Sequence, residues 1–397
     1  MKVLWITSAY PSDIHPGSGV FHETQVQALR KEGVDVTVIC PVPKNPSVLG
    51  VLKKQYRANQ EIPAFYRRNR VAVHRPAYTA LPGQLRWAQP DKRIADAVLQ
   101  VVEAEQLEPD VIHAHFAMPS GGAARIIAEK MGLPWLLTLH GSDVNVYPHY
   151  SGNAMRAFKQ SVLAADQVLA VGENLADKTE EMTGRSSSVL PIGVDLTRFA
   201  APLGTQQGVR ETLKLPLDKK LVVFVGRLTK AKGVFELAAA LESLSEDSAI
   251  VFVGDGPAKN KLKQHPEYNS RLFLAGQVEN ERVKDYLFAS DAFALPSYTE
   301  GMPTVVIEAL ALKVPVICTH VGGVPDLFGK HRNLLIEPKS VSSLAERIKG
   351  VLEQNLSNPD IQQELYERVQ ENYNAQRNAG QLKEAYLKVV KSARVPV

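Results

Sequence analysis

Short runs of β-branched and other apolar residues alternate with amphipathic stretches along most of the chain. In the first half the runs are Val3 to Ile6, Val36 to Ile39, Val71 to Arg75, Val111 to His113, Trp135 to Leu139, Val168 to Val171 and Val189 to Pro191. Helical periodicity lies between several of them, over Phe21 to Lys31, Pro90 to Glu105 and Ala154 to Ala164. The second half repeats the theme with Leu221 to Val225, Ile250 to Val253, Leu272 to Leu274, Ala292 to Leu295 and Val314 to Cys318. Continuous apolar strands separated by helices predict parallel sheets covered on both faces. A polar, turn-rich stretch from Ala200 to Gly208 interrupts the pattern and reads as a linker. A fresh βα series follows it, and the tail from Ile361 onward is helical and charged.

At 397 residues the chain exceeds the size at which single cores stop growing, so two domains are expected. Its hydrophobic content of 45% is that of an ordinary globular protein, and no apolar run approaches a membrane span. The start, MKVLWITSAYP, reads as a first buried strand rather than a signal peptide. Cys40 and Cys318 each end an apolar run and read as buried free thiols in a reducing compartment.

The net charge is only +4, yet from Lys44 to Arg93 eleven basic residues face two acidic ones, a local excess of +9. That block suits an anionic partner such as a membrane surface, a lipid phosphate or nucleic acid, with a solvated face as the competing reading. Its apolar part, Val48, Leu49, Val51 and Leu52 beside Lys53 and Lys54, suits a membrane interface.

Ligands of open parallel sheets bind beyond the carboxyl ends of the strands, which directs attention to the loops there. The most informative one is PSYTEGMPTVVIEAL, residues 296 to 310. It carries Glu300 and Glu308 on either side of a predicted helix start, with Pro303 suited to the first helical turn. Backbone N–H groups around Gly301, Met302 and Thr304 would point outward there and suit a phosphate. One carboxylate would then reach a sugar and the other a ribose, the arrangement a nucleotide sugar needs. Upstream, Arg227 and Lys232 follow the strand that ends at Gly226. A guanidinium fork and an ammonium point charge there can neutralise a diphosphate.

Weaker signals accompany these. The glycines of Val253-Gly254-Asp255-Gly256-Pro257 read as a structural turn, and Gly276-Gln277-Val278 offers a backbone hold on a base with Val278 near the ring. His140-Gly141-Ser142-Asp143 closes a buried strand, and His140 reads as a contact to the transferred sugar. The two imidazoles of His113-Ala114-His115 are expected on opposite faces of their strand, which argues against a metal site. Gly17-Ser18-Gly19 resembles half of a dinucleotide fingerprint, but His22 stands where a third Gly belongs and no acidic residue ends the second strand. A Gly-rich loop over a donor diphosphate fits it better than a nicotinamide site.

Taken together, Arg227 and Lys232, the Glu300-to-Glu308 block, the His140 element and Pro191-Ile192-Gly193-Val194-Asp195 resemble the GT-B glycosyltransferases of family GT4. HETQVQ at 22 to 27, PGQLRWAQP at 82 to 90, AHFAMPSGGAA at 114 to 124 and LHGSDVNVYPHYS at 139 to 151 are closest to teichuronic acid biosynthesis glycosyltransferases of Gram-positive bacteria. The resemblance implies an α/β GT-B fold, with two facing Rossmann-like doubly wound domains and a deep cleft. It places an acceptor domain at 1–198, a donor domain at 199–375 and a crossing-back helix at 376–397. It implies retaining hexosyl transfer from a nucleotide sugar, UDP-linked, with no required cofactor and no metal. Glu308 would hold the ribose hydroxyls, Glu300 the sugar hydroxyls, Arg227 and Lys232 the diphosphate, and His140 the sugar near its reacting carbon. Gly19 would admit the phosphates, and Val278, Gly301, Met302, Pro303 and Thr304 would complete the donor site. The implied partners are an undecaprenyl-diphosphate-linked glycan acceptor and the anionic inner face of a cytoplasmic membrane, not nucleic acid. Competing readings are a GT-B epimerase or phosphorylase, or a non-catalytic glycan-binding protein.

Overall fold

The computed structural model describes residues 1–44, 62–80, 90–199, 204–353 and 358–393. The chain forms two compact units, Met1–Gly193 with Ala375–Val397, and Val194–Asn374.

The first unit carries β1 (Lys2–Ile6), β2 (Asp35–Ile39), β3 (Val42–Lys44), β4 (Phe65–Arg68), β5 (Val71–His74), β6 (Ala77–Thr79), β7 (Val111–His115), β8 (Trp135–Leu139), β9 (Gln167–Ala170) and β10 (Ser188–Val189). Eight of them form a sheet of order β10-β9-β8-β7-β1-β2-β5-β4, and β3 pairs with β6 apart from it. Every pairing in the large sheet is parallel except β4 with β5. The central strands β7 and β8 are buried at every position, as a sheet covered on both faces requires. Crossovers such as helix Val20–Lys31 place Val26 and Leu29 against Trp5, Val36 and Val38 in one core.

The antiparallel β4–β5 hairpin departs from the all-parallel expectation. Its two-residue turn, Asn69-Arg70, has φ of 48° and 64°, the left-handed conformation of a primed turn. Arg70 is a costly residue there, and the turn is held from outside. Arg30 donates to the Asn69 carbonyl at 2.7 Å, and Asn69 Nδ2 donates to Glu23 at 2.7 Å. The same Glu23 accepts from Arg68 at 2.8 Å, so part of the basic block is neutralised by an acid from another element. Arg75, only 8% exposed, points inward. The described part of the block is therefore not one continuous cationic face. Val48, Leu49, Val51, Leu52, Lys53, Lys54, Arg57 and Arg86 lie outside the described residues.

The second unit is a five-stranded parallel sheet, order β13-β12-β11-β14-β15, from β11 (Lys220–Val225), β12 (Ser248–Val253), β13 (Leu272–Gly276), β14 (Ala292–Leu295) and β15 (Val316–Cys318). The predicted linker is not wholly a linker. Gln206, Gln207 and Gly208 open a helix, Gln206–Leu213, capped by Thr205, whose hydroxyl accepts from the Gly208 N–H at 3.1 Å. Thr205 is an expected N-cap type, and its neighbours' polarity masked the helix. Both cysteines are buried free thiols. Among the described residues no helix is long and apolar enough to cross a membrane.

Candidate donor site and the histidine cluster

In the second unit, three strand-end loops are packed backbone to backbone. The loop after β11 has Gly226 at φ 153°, with its N–H bonded to Val253 at 3.0 Å, and Gly254 donates to Gly276 at 2.7 Å. A Cβ on Gly254 would collide with the Gly226 carbonyl, so the turn reading of these glycines has a steric cause. Leu228 is tied to Asp255 at 2.9 Å. This lattice fixes the backbone of Arg227, while its guanidinium is exposed and makes no hydrogen bond or ion pair among the described residues.

Lys232 lies one turn further on. Its ammonium donates to both oxygens of Glu300, at 2.6 and 2.8 Å, and Ser297 donates to the same carboxylate at 2.5 Å. Ser297 is held in turn by Thr319, which donates to its carbonyl at 2.6 Å. Glu300 is thus locked in place, its side chain 7% exposed, while Lys232 keeps 31% of its surface open. A charged donor shared between two carboxylate oxygens is strong where water is sparse.

After Glu300 the chain enters helix Thr304–Ala311. Pro303 stands at the N-cap with φ −76° and ψ 103°, one position before the expected first turn. The N–H groups of Gly301, Met302 and Thr304 donate to no oxygen among the described residues. They stand beside the positive end of the helix, the setting that favours an anion. Gly322 and Gly323 back this loop. A side chain on Gly322 would strike the Glu300 carbonyl, and Gly323 donates to the Gly301 carbonyl at 2.7 Å.

Glu308 lies one turn into the helix and is 8% exposed. Burial pushes its carboxyl up to about 7, against a smaller opposing pull from Arg198. Val278 is half-buried against the Leu221, Val223 and Val251 core. The sequence reading missed Ser297, Thr319 and the Gly322-Gly323 pair. Ser297 carried a faint signal, three residues ahead of Glu300 on the same loop.

In the first unit, Gly19 (φ 72°) caps helix Val20–Lys31, and a Cβ there would lie 2.6 Å from the Ala9 carbonyl. The close backbone approach it permits is to the loop after β1. His140 follows β8, and Asp143 holds its loop. The Asp143 carboxylate accepts from the N–H groups of His140 at 3.0 Å, Gly141 at 2.8 Å and Ala117 at 3.0 Å.

His113 and His115 share one face of β7, correcting the expectation of opposite faces. Side chains alternate with period two, so residues i and i+2 point the same way, and these rings lie 4.1 Å apart. His113 bonds Tyr386 at 2.7 Å and Thr138 at 2.8 Å. His115 Nδ1 meets His140 Nε2 at 2.9 Å, and Trp5 stacks on His115 at 3.9 Å. Burial lowers the proton affinity of His113 and His140 to about 3, so both are neutral.

A neutral His115–His140 pair has two N–H groups, and its mutual bond uses one. The other falls on His140 Nδ1 or His115 Nε2, both buried without a partner among the described residues. On His140 it would be a donor awaiting a ligand oxygen. His22, His115 and His140 also form a group with metal-ligand potential, their nitrogens within 4.8 Å of one another.

Residues 17–198 match the family model for "Glycosyltransferase Family 4", and residues 206–375 match "Glycosyl transferases group 1". The chain is 54% identical over 393 residues to TuaC of Bacillus subtilis (strain 168), provisionally named as a teichuronic acid biosynthesis glycosyltransferase. That match covers 99% of this chain and all of the relative. Sucrose-phosphate synthase from Thermosynechococcus elongatus superposes with TM-score 0.80 at 20% identity, over 98% of this chain and 99% of that one. HepE of Anabaena, solved with UDP, does so with TM-score 0.74 at 18% identity, over 98% and 100%. With both halves matched and a relative this similar over nearly its whole length, the chain belongs to the GT4 glycosyltransferases and has their GT-B fold of two Rossmann-like units.

Proposed function

We propose that this glycosyltransferase moves a sugar, with retention of configuration, from a UDP-sugar to a lipid-diphosphate-linked glycan during assembly of teichuronic acid or a related cell-wall polysaccharide. The observation that carries the donor half is the Lys232–Glu300 pair beside the open N–H groups of Gly301, Met302 and Thr304, with Glu308 on the helix behind. Glu308 takes the ribose hydroxyls and Glu300 those of the sugar. Arg227 and Lys232 face the diphosphate, whose charge grows as the bond from the anomeric carbon to phosphate oxygen breaks. Fixed donors aimed at such charge are worth ~3–4 kcal/mol each in other enzymes. The acceptor oxygen bonds to the anomeric carbon on the departing side, and its proton passes to the leaving phosphate. His140 is assigned to the transferred sugar. Because side-chain cations neutralise the diphosphate, the transfer is read as metal-independent.

The similarity to TuaC supports the cell-wall setting, and the UDP in the HepE structure supports the choice of nucleotide. The basic block, with Lys53, Lys54 and Arg57, supports peripheral binding to anionic lipid at the inner face of the cytoplasmic membrane. Co-sedimentation with anionic vesicles that fails to weaken with salt, or matches that with neutral vesicles, would remove the membrane part.

The test is a screen of UDP-sugars for turnover, run with wild type, Arg227→Ala and Lys232→Ala, each with and without excess chelator. One donor should turn over in wild type, unaffected by chelator, with at least a ~100-fold loss in either variant. Wild-type rates in both folded variants would refute the diphosphate role. Activity lost in chelator and restored by Mg²⁺ would refute metal independence.

A further inference from the structure

A cavity of about 760 Å³ in the first unit lies among the starts of helices Pro90–Ala104, Gly122–Met131 and Gly152–Ala164. Lys92, Arg93, Arg125 and Arg156 line it, against one carboxylate, Asp91. Asp91 packs on the next helix, where a Cβ on Gly122 would lie 3.1 Å from its Oδ2. Among the described residues no carboxylate pairs with Lys92, Arg125 or Arg156. Lys2, Arg68 and Lys130 of the same unit, by comparison, each have an acidic partner.

Unpaired cations gathered round one concavity repel each other and focus a positive potential into it. The helix starts add partial positive charge of the same sign. Met118, Pro119 and Ile126 give the wall an apolar part. A ligand suited to this lining carries several negative charges next to an apolar chain.

We propose that this cavity binds the diphosphate of the acceptor, with the first isoprenoid carbons against Met118, Pro119 and Ile126. The proposal rests on the lipid-diphosphate reading above and gives the acceptor a binding site of its own. The two exposed cations, Lys92 and Arg156, and the half-buried Arg125 supply the charge. A guanidinium can fork onto two phosphate oxygens, so the arginines should matter more than Lys92.

The experiment titrates the full-length protein with inorganic pyrophosphate, UDP being present at saturation so that the second unit's cations are engaged. It then measures KM for a short-chain polyprenyl-diphosphate-linked acceptor. Lys92→Gln/Arg156→Gln replaces exposed side chains only and should leave the fold intact; Arg125→Gln is the second variant. Pyrophosphate binding should weaken at least tenfold in the double variant and fade with salt. The acceptor KM should rise by a similar factor, with UDP affinity unchanged. Equal pyrophosphate binding by wild type and both variants, or none by wild type, would overturn the site. Weakened pyrophosphate binding with an unchanged acceptor KM would overturn its assignment to the acceptor. A wild type that binds pyrophosphate but not UDP would count against the donor reading alone.

Discussion

Glu308 is 8% exposed, and burial sets its carboxyl near 7, where a small change in surroundings decides its charge. A carboxyl raised in the folded state stabilises it most below the unfolded value, and that contribution is lost as pH rises through about 7. Ligand binding has the opposite demand. In the role proposed for Glu308, two ribose hydroxyls donate, so they need the carboxylate, and binding them must expel the proton. UDP affinity should therefore fall as pH drops below about 7, by up to about tenfold per pH unit. Glu308→Gln, which cannot ionise, should bind UDP more weakly at high pH and lose this dependence. Calorimetry across the pH range checks it, and a pH-independent wild type would show that Glu308 takes no proton-linked part. The buried histidines run the other way. With His113 and His140 lowered to about 3, their neutral packing stabilises the fold above the unfolded value of about 6.5 and is lost as pH falls toward 3.

At the scale of elements, the donor loops depend on glycines for two separable reasons, conformation and space. Gly233 has φ 69°, and a side chain there would run into the Pro296 carbonyl, just ahead of Ser297 and Glu300. Gly184 has φ 73°, and a methyl group there would meet nothing within 4 Å. Gly184→Ala should cost only the left-handed penalty, about 1–2 kcal/mol. Gly233→Ala should add overpacking of about 1–3 kcal/mol and shift the Lys232–Glu300 pair as well. Urea unfolding of both variants checks the difference, and equal costs would mean that the Pro296 loop yields freely.

The same scale shows what sequence reasoning could reach. Core strands such as β8, β11 and β14 were legible because they are almost wholly apolar runs, whereas β7 carries His113 and His115, and His113 depends on Tyr386 from the far end of the chain. The β4–β5 hairpin was not, because Asn69-Arg70 is a poor turn alone and depends on Glu23 and Arg30 from another helix. Glu300 and Lys232 stood out separately, but their pairing across 68 positions comes from sheet order, which no local pattern carries. The His113–His115 reading failed on a local rule that was available, the two-residue period of a strand.

At the scale of the whole molecule, the chain leaves the first unit at Gly193 and returns to it at Ala375. Helix Ala375–Ala393 then buries Ala379, Leu382, Tyr386 and Val389 among Trp5, Val26, Leu29 and Val36. Gln376 bonds the Glu32 carboxylate at 2.5 Å, Lys383 the Glu32 carbonyl at 2.7 Å and Asn378 the Pro191 carbonyl at 2.9 Å. Tyr386 also satisfies His113, a buried ring from the middle of the sheet. Removing residues 375–397 would strip large apolar side chains worth about 1.5–3 kcal/mol each from this core. That loss is comparable with a typical domain's whole stability of about 5–15 kcal/mol. The second unit's core of Leu221, Val223, Val251 and Tyr286 uses none of those side chains. The truncated chain should therefore keep a folded second unit while the first exposes its sheet, visible as rapid proteolysis confined to residues before 194. Tyr386→Phe keeps the packing and removes only the hydroxyl, so it should fold and lose about 1–3 kcal/mol through the unsatisfied His113 nitrogen. If the truncated chain resisted proteolysis in both units, the returning helix would be an accessory to the first core. If Tyr386→Phe were as stable as wild type, the His113 bond would contribute nothing, and apolar packing alone would hold the helix there.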